Sequence, residues 1–356
     1  MRILIAGGGT GGHVIPSLAI ARELRDRHAA EVRFVGTPRG LETKLVPEAG
    51  FQLELIPVGQ LKNVSLLIRL RTLADLPLGI LRCISLLRSF KPQVVIGVGG
   101  YASGPAMLAA TFLRIPTVAF EPNAVPGLAN RLIGKYVSAA AVNFTSSTSF
   151  FRNAKVTGIP VRREFFDIAP KPSGPLRLLV FGGSQGARVL NQVMPKIAAQ
   201  LLARFPELTI VHQVGGRNGD STATAYANEG VCDPRLTRTL YLDAMVEEIA
   251  AADLILCRSG ASTVAELAAA GRPSVLVPFA AAADDHQRKN AEVFVAAGAA
   301  AMILEAEFTP AEALAEVTNL LNHPEVRLRM GRAARALAHA SAAADIARMC
   351  LGLATR

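Results

Sequence analysis

The sequence has 356 residues, of which 51% are hydrophobic and 19% charged, so it is too apolar for a disordered chain and long enough for two domains. The net charge of +10 comes from the first half, because residues 1–162 hold 19 Lys and Arg against 8 Asp and Glu. With no Trp, four Tyr and no basic block mixed with aromatic residues, we expect no nucleic-acid partner and favour an anionic membrane surface or a phosphorylated ligand.

The amino terminus, MRILIAGGG, lacks the pattern of a signal peptide, and the longest charge-free run, residues 94–113, is broken by four glycines and a proline. We therefore expect a cytoplasmic chain without a spanning helix. The cysteines are scattered, with no C-x-x-C pair and no histidine at ligand spacing, which predicts reduced thiols rather than disulfides or a zinc site. They are Cys83, Cys232, Cys257 and Cys350.

The first α/β pattern begins with an apolar run at residues 2–6, followed by the glycine loop GGGTGGH at 7–13 and by apolar residues at helical spacing. Further apolar runs at 32–35, 94–98 and 117–120 each end in glycine or in a polar loop. Short buried strands that alternate with helices predict a parallel sheet, with ligand loops at the carboxyl ends of the strands.

The pattern restarts at residues 176–181, which lead into GGSQGA at 182–187, and more strands are predicted at 209–213, 239–242, 254–257 and 274–277. A proline-bearing stretch at 169–175 separates the two halves. We predict an α/β protein with two Rossmann-like domains, residues 1–162 and 163–340, whose parallel sheets face each other across a cleft. A carboxy-terminal helix at about 341–356 is expected to pack back on the first domain.

The glycine loop formally matches the dinucleotide fingerprint, since Gly7, Gly9 and Gly12 have its spacing. An NAD site also needs an acidic residue at the end of the second strand, and here that strand ends at Gly36. The loop therefore favours phosphate over NAD and predicts no cofactor, with a tight turn that binds nothing as the alternative.

Two residues of the first half could move a proton. His13 lies where the glycine loop enters its helix and could accept a proton from a hydroxyl, although it could equally fasten the loop. Glu121 follows a predicted strand at its carboxyl end, which is a site position in such sheets, although a solvated loop residue is the alternative.

In the second half, the small residues at 259–263, which follow Arg258, predict a helix amino terminus for phosphate, and Glu266, two turns along, could accept two ribose hydroxyl hydrogen bonds. The alternative is a capped helix with a surface glutamate. The polar loop at 284–287 could bind sugar hydroxyls. No sequence motif for a metal ion is present, so helix ends and arginine are expected to handle leaving-group charge.

Seven motifs, in their order along the chain, resemble the MurG family of bacterial N-acetylglucosaminyltransferases of peptidoglycan synthesis. They cover nearly the whole chain: GGTGGH at 8–13, GVGGYASGP at 97–105, EPNAVPG at 121–127, GIPVR at 158–162, GGSQGA at 182–187, RSGASTVAE at 258–266 and DDHQRKNA at 284–291. The resemblance implies a GT-B fold, with the lipid-linked acceptor on the first domain and the nucleotide sugar on the second. It also implies metal-independent transfer of N-acetylglucosamine from UDP-N-acetylglucosamine to the 4-hydroxyl of the muramyl sugar of lipid I, giving lipid II with inversion.

The resemblance further implies roles for individual residues. His13 is the favoured general base, and Glu121 is the competing candidate or its electrostatic partner. In the donor site, Glu266 would hold the ribose, Gln287 the sugar hydroxyls and Ser184 the phosphates, while Leu242 would meet uracil through its backbone. The remaining donor-binding residues are Thr10, Gly11, Gly12, Asn123, Arg162, Ala261, Ser262, Thr263, Val264 and Ala265, and the acceptor-binding residues are Gly9, Gly100 and Tyr101.

Residues 61–91 hold six basic residues against the single acid Asp75, interleaved with leucine and isoleucine. We predict that Arg69, Arg71 and Arg82 attach the protein to anionic phospholipid, peripherally, at the cytoplasmic face of the cell membrane. The alternative is a pair of helices packed on the sheet with a solvated basic edge.

Three other classes of protein compete with the transferase. A UDP-N-acetylglucosamine 2-epimerase would share the fold and the donor but needs no lipid-facing surface. A dehydrogenase would need the missing ribose acid. A non-enzymatic membrane or nucleic-acid module would explain the charge but not the glycine loops in both domains.

Overall fold

The computed structural model describes residues 1–59, 66–171 and 174–355, and for residues 66–74 it describes the backbone alone. The chain forms two compact units. The first consists of Met1–Val161 and Ser341–Arg356, and the second of Arg162–Ala340. Arg162 therefore begins the second unit.

In the described part of the first unit, seven parallel strands form one sheet in the order β3-β2-β1-β4-β5-β6-β7. The strands are β1 Arg2–Ala6, β2 Glu31–Gly36, β3 Gln52–Leu55, β4 Val94–Gly97, β5 Thr117–Glu121, β6 Ala139–Val142 and β7 Ala154–Val156. The helices are α1 Gly11–His28, α2 Glu42–Glu48, α3 Leu66–Phe90, α4 Ser103–Phe112 and α5 Leu128–Ile133, with a 3₁₀ helix at Thr145–Phe150.

In the described part of the second unit, six parallel strands have the order β10-β9-β8-β11-β12-β13. The strands are β8 Arg177–Phe181, β9 Thr209–Gln213, β10 Leu236–Thr239, β11 Leu254–Cys257, β12 Ser274–Leu276 and β13 Ala300–Met302. The helices are α6 Arg163–Phe166, α7 Arg188–Arg204, α8 Gly219–Asn228, α9 Met245–Ala251, α10 Ala261–Ala270, α11 His286–Ala296, α12 Pro310–Asn322 and α13 Pro324–Ala336, with a 3₁₀ helix at Ala283–Asp285.

Both units are doubly wound α/β sheets, and each has its own apolar core. The chain order reverses between β1 and β4 in the first sheet and between β8 and β11 in the second. Ligands of open α/β sheets bind at such reversal points, outside the carboxyl ends of the strands. In this chain the glycine loops follow β1 and β8, directly at the reversals.

The last helix, α14 Ala342–Ala354, belongs to the first unit. It packs against α1 and β4. Its buried residues Ala342, Ile346, Ala347 and Cys350 form its inner face. The turn between α13 and α14 falls at residues 337–341, where the sequence predicts a break near residue 340.

One predicted strand is wrong in position. The sequence favours residues 239–242, whereas β10 is Leu236–Thr239 and pairs with Ile210–Gln213 of β9. Leu240 and Tyr241 lie outside the strand and are exposed, so the apolar run that suggested a buried strand is a loop. Four further strands, β3, β6, β7 and β13, were not predicted from the sequence; each has three or four residues.

Candidate functional site

Two glycine loops meet at the reversal point of the first sheet. Gly8 donates its backbone N–H to the carbonyl oxygen of Gly99, at 3.4 Å. A Cβ at Gly7 would overlap the Gly99 carbonyl oxygen, and one at Gly100 would overlap the backbone of Gly8. Only glycine allows this approach, and Gly7, Gly8, Gly99 and Gly100 also have positive φ angles.

His13 is the third residue of α1 and is half-buried beside these loops. Its ring lies against Gly99, since a Cβ at that glycine would be 3.0 Å from Nε2 of His13. Its Nδ1 is 3.5 Å from the hydroxyl oxygen of Thr10, and Thr10 itself is exposed. The structure thus brings His13 together with the predicted acceptor-binding loops at Gly9 and Gly100.

Glu121 is 2% exposed at the end of β5, and four donors bind its carboxylate. Asn123 donates its backbone N–H at 3.0 Å and its side-chain amide at 3.2 Å, Gly127 its backbone N–H at 3.2 Å, and Asn130 its amide at 2.9 Å. Burial raises the pKa of Glu121, and these hydrogen bonds oppose the rise. The donors lie at residues 123–130, so the Glu121 carboxylate stabilises the conformation of the loop at residues 121–130.

Strand β4 separates the two proton-transfer candidates, since β1 leads to His13 and β5 ends at Glu121. Two strand spacings of about 4.8 Å each lie between those strand ends. The two residues therefore follow strands that are not neighbours in the sheet.

In the second unit the loop at residues 182–187 is fixed from the neighbouring strand. Gln213, 3% exposed at the end of β9, accepts a hydrogen bond from the backbone N–H of Gly182 at 3.3 Å and donates one to the carbonyl oxygen of Leu240 at 3.2 Å. This one amide joins the predicted phosphate loop, with exposed Ser184, to the segment that leads to Leu242. Sequence reasoning missed Gln213, although a polar residue at the carboxyl end of a buried strand is a usable signal.

The loop after β11 opens α10, the helix that carries Ala261 to Glu266. Ala261 and Val264 are buried, so they could meet a ligand only through their backbone, whereas Ser262, Thr263, Ala265 and Glu266 are half-buried. Burial raises the pKa of the Glu266 carboxyl to about 7, and the positive charge of Arg162 opposes the rise.

Gln287 lies beside this loop. Its backbone carbonyl accepts a hydrogen bond from the Ser259 hydroxyl at 2.8 Å, and its side-chain oxygen accepts one from the backbone N–H of Phe279 at 3.0 Å. Arg258 holds the same region by an ion pair with Glu305 at 3.0 Å and by hydrogen bonds to the carbonyl oxygens of Val277 and Pro278. The Arg258–Glu305 pair is a further feature that the sequence did not reveal, since 47 residues separate the partners.

The predicted donor-binding residues divide between the units. Thr10, Gly11, Gly12 and Asn123 lie in the first, and Arg162, Ser184, Leu242, Gln287 and the α10 residues in the second. Tyr101, predicted for the acceptor, is 38% exposed in the first.

Of the predicted membrane residues, Arg82 is exposed on α3, whereas the side chains of Arg69 and Arg71 lie outside the described residues. Large apolar side chains are exposed nearby on α3 and on α4, which pack together. They are Leu78 at 47%, Leu81 at 62%, Leu108 at 46% and Phe112 at 74% exposure.

No helix among the described residues is long and apolar enough to cross a membrane. Within the same part of the chain, no three His, Cys, Asp or Glu residues are grouped so that they could hold a metal ion.

Comparison with known proteins identifies relatives over the whole chain. Residues 3–142 match the glycosyltransferase family 28 N-terminal domain, and residues 177–347 match the C-terminal domain of that family. A protein of Anaeromyxobacter sp. (strain Fw109-5) is 45% identical over 100% of this chain and 94% of its own length. It is named UDP-N-acetylglucosamine–N-acetylmuramyl-(pentapeptide) pyrophosphoryl-undecaprenol N-acetylglucosamine transferase.

Solved structures agree with this grouping. The crystal structure of Acinetobacter baumannii MurG has a TM-score of 0.79 and 29% identity, with 99% of both chains covered. The UDP-GlcNAc 2-epimerase of Neisseria meningitidis, bound to UDP-GlcNAc, has a TM-score of 0.70 with 99% of this chain and 100% of its own covered, but at 15% identity it shares the fold alone.

Proposed function

Because the chain belongs to glycosyltransferase family 28, we propose that its first unit holds a lipid-linked acceptor and its second unit the nucleotide-sugar donor. The enzyme is an N-acetylglucosaminyltransferase of peptidoglycan synthesis. It transfers N-acetylglucosamine from UDP-N-acetylglucosamine to N-acetylmuramyl-(pentapeptide) pyrophosphoryl-undecaprenol. The observation that carries this function is the 45% identity to a transferase of that name over the full chain.

For the donor, the proposal assigns the ribose to Glu266 and the phosphates to Ser184 and the amino terminus of α10. Three features support it: the glycine loop and α10 lie at the same sheet reversal, the α10 loop is anchored by Arg258, and Gln213 fixes the glycine loop. Leu242 would meet uracil through its backbone, because Gln213 also binds the adjoining Leu240. The side-chain oxygen of Gln287 would give up its hydrogen bond from the Phe279 N–H and bind the sugar hydroxyls instead.

For the acceptor, the proposal makes His13 the general base that removes the proton of the muramyl 4-hydroxyl. Its ring lies half-buried against Gly99, where the glycine loops after β1 and β4 pack against each other. The hydroxyl oxygen then attacks the anomeric carbon as UDP leaves, and the configuration is inverted. We assign Glu121 the role of holding Asn123 in position, because its carboxylate already accepts hydrogen bonds from four donors.

Because the acceptor carries an undecaprenyl chain, the first unit has to work at a membrane surface. We infer that the exposed apolar residues of α3 and α4, with Arg82 beside them, rest on anionic phospholipid at the cytoplasmic face. The attachment is peripheral, and the basic charge of the first half of the chain contributes to it.

The test is incubation with UDP-N-acetylglucosamine and a short-chain lipid I analogue in EDTA. We expect a disaccharide product with a β anomeric linkage, formed at the same rate with and without the chelator. An α linkage, or activity that returns only with added metal, would contradict the mechanism.

The epimerase is the second candidate function, and the same assay separates it. An epimerase would convert UDP-N-acetylglucosamine to its 2-epimer without an acceptor. We expect no such product from the donor alone.

A further inference from the structure

Glu42, the first residue of α2, is 1% exposed in the first unit. Its Oε2 accepts a hydrogen bond from the backbone N–H of Gly9 at 2.7 Å. Its Oε1 accepts two from Thr37, one from the backbone N–H and one from the hydroxyl, each at 3.0 Å. A buried carboxylate is costly unless donors satisfy it, and here three donors converge on it.

The chain leaves space for this carboxylate at three glycines. A Cβ at Gly8 or Gly40 would overlap the carboxyl group of Glu42, and a Cβ at Gly36 would lie 2.6 Å from its Cγ. Gly36 and Gly40 have ordinary backbone angles, so space for the carboxylate, rather than a left-handed conformation, is what requires glycine there.

The bond to Gly9 reaches the residues that the acceptor site needs. Gly9 is followed by Thr10, the N-cap of α1, whose carbonyl oxygen accepts the N–H of His13 at 3.1 Å. A second tie runs from the N–H of Leu41, beside Glu42, to the Gly9 carbonyl oxygen at 3.2 Å. The loop is therefore held at Gly9 through both its backbone N–H and its carbonyl oxygen.

We propose that Glu42 is a positioning residue for glycosyl transfer, which holds the glycine loop through the Gly9 N–H so that His13 faces the acceptor hydroxyl. The proposal rests on the function proposed above. It also means that the Gly9 N–H is occupied by protein, so this loop would bind an acceptor through its other groups.

The first test is Glu42→Gln, with Glu48→Gln as the matched control, because Glu48 is an exposed residue of the same helix. An amide that keeps both bonds from Thr37 has to turn its NH₂ toward the Gly9 N–H, which breaks the tie to the glycine loop. We expect kcat for transfer to fall by about tenfold to a hundredfold, as for a misplaced reacting group, with UDP affinity within threefold of wild type. A wild-type kcat in Glu42→Gln would overturn the proposal.

The second test is a double-mutant cycle with Gly40→Ala and Glu42→Ala. Gly40→Ala should lower kcat on its own, since the new methyl group displaces the carboxylate. In the Glu42→Ala background the methyl group meets no carboxylate, so the double variant should be no slower than Glu42→Ala. Fully additive losses would show that the two residues act independently and would overturn the proposal.

Hydrogen exchange separates this proposal from the proposed function. The Gly9 amide should exchange at least tenfold faster in Glu42→Gln than in wild type, whatever reaction the enzyme performs. Unchanged protection of that amide would overturn the role of Glu42. Absence of transfer by the wild-type enzyme would instead count against the proposed function.

Discussion

At the scale of single residues, burial of a carboxylate has different consequences at three places in this chain. Glu42 and Glu121 are buried and bound by several backbone and side-chain donors, which fix loops. Glu266 is half-buried, and its pKa rises to about 7. A half-buried carboxylate in the second turn of α10 is suited to bind the hydroxyls of a ligand.

The raised pKa of Glu266 predicts a pH-dependent stability. The carboxyl holds a proton in the folded state up to about pH 7, whereas it ionises near pH 4.5 when unfolded. The stability this provides is complete below pH 4.5 and is lost as the pH rises through 7. Glu266→Gln, which never ionises, should therefore melt at a higher temperature than wild type at pH 8 and at a similar temperature at pH 4.5.

An alanine variant of the same residue, together with Glu266→Gln, tests the ribose assignment. Hydrogen bonds to a charged acceptor contribute roughly 1.5 to 3 kcal/mol, so Glu266→Ala should weaken UDP binding by about ten- to a hundredfold. In wild type the affinity should increase as the pH rises through 7, and in Glu266→Gln it should not. Calorimetry at several pH values measures both, and unchanged affinity in the alanine variant would refute the assignment.

His13 and Glu121 are distinguished by their kinetics. A positioned general base contributes about 10² to 10⁴ in rate, so His13→Ala should lower kcat by that order and leave UDP affinity nearly intact. Glu121→Gln should instead lower the melting temperature, because one oxygen that accepts hydrogen bonds becomes a donor. If His13→Ala lost less than threefold while Glu121→Gln was inactive, the base would be Glu121.

At the scale of elements, Gln213 connects two loops that follow different strands. Gln213→Glu keeps the shape and the bond from Gly182 but cannot donate to the Leu240 carbonyl oxygen. We expect UDP affinity to fall by about tenfold, which corresponds to roughly 1.4 kcal/mol. Gln200→Glu, on an exposed site of α7, is the matched control and should bind UDP as wild type does.

The sequence predicted the elements whose local pattern was strong. β1, β9 and β11 agree with their predicted bounds; β1 and β11 are mostly apolar, and β9 has the β-branched residues Ile210 and Val211 at its centre. β3 is mostly exposed and β6 consists of three alanines and a valine, so neither has the pattern of a buried strand. The register of β10 depends on pairing with β9, which a local pattern cannot show.

Because a local pattern cannot show contacts between distant residues, only part of the site could be predicted from the sequence. The glycine loops were visible as motifs because their backbone conformation demands a residue type. Glu42 and Gln213 were not, since their partners lie 33 and 31 residues away and depend on how strands are ordered in the sheet. Whether a glutamate is a base or fixes a loop also depends on donors that only the folded chain brings to it.

At the scale of the whole molecule, the positive charge of the first half predicts salt-sensitive attachment to anionic membranes. Each basic residue near such a surface contributes roughly 1 kcal/mol, screened over about a Debye length. We expect sedimentation with phosphatidylglycerol vesicles at low salt, release at high salt and little binding to neutral vesicles.

Replacing Arg69, Arg71 and Arg82 together by Glu should abolish that binding. The matched control replaces Arg204, Arg329 and Arg332, exposed residues of the second unit, and changes the net charge equally. Equal sedimentation of both triple variants would place the membrane surface elsewhere.

The position of α14 affects the order in which the chain can mature on the ribosome. The second unit is one continuous stretch and can fold as soon as residues 162–340 have emerged. The first unit begins to emerge earlier but lacks the helix that covers α1 until α14 is translated. During that interval the apolar face of α1 has no cover from α14, so we expect nascent chains halted before residue 341 to be the species that chaperones bind.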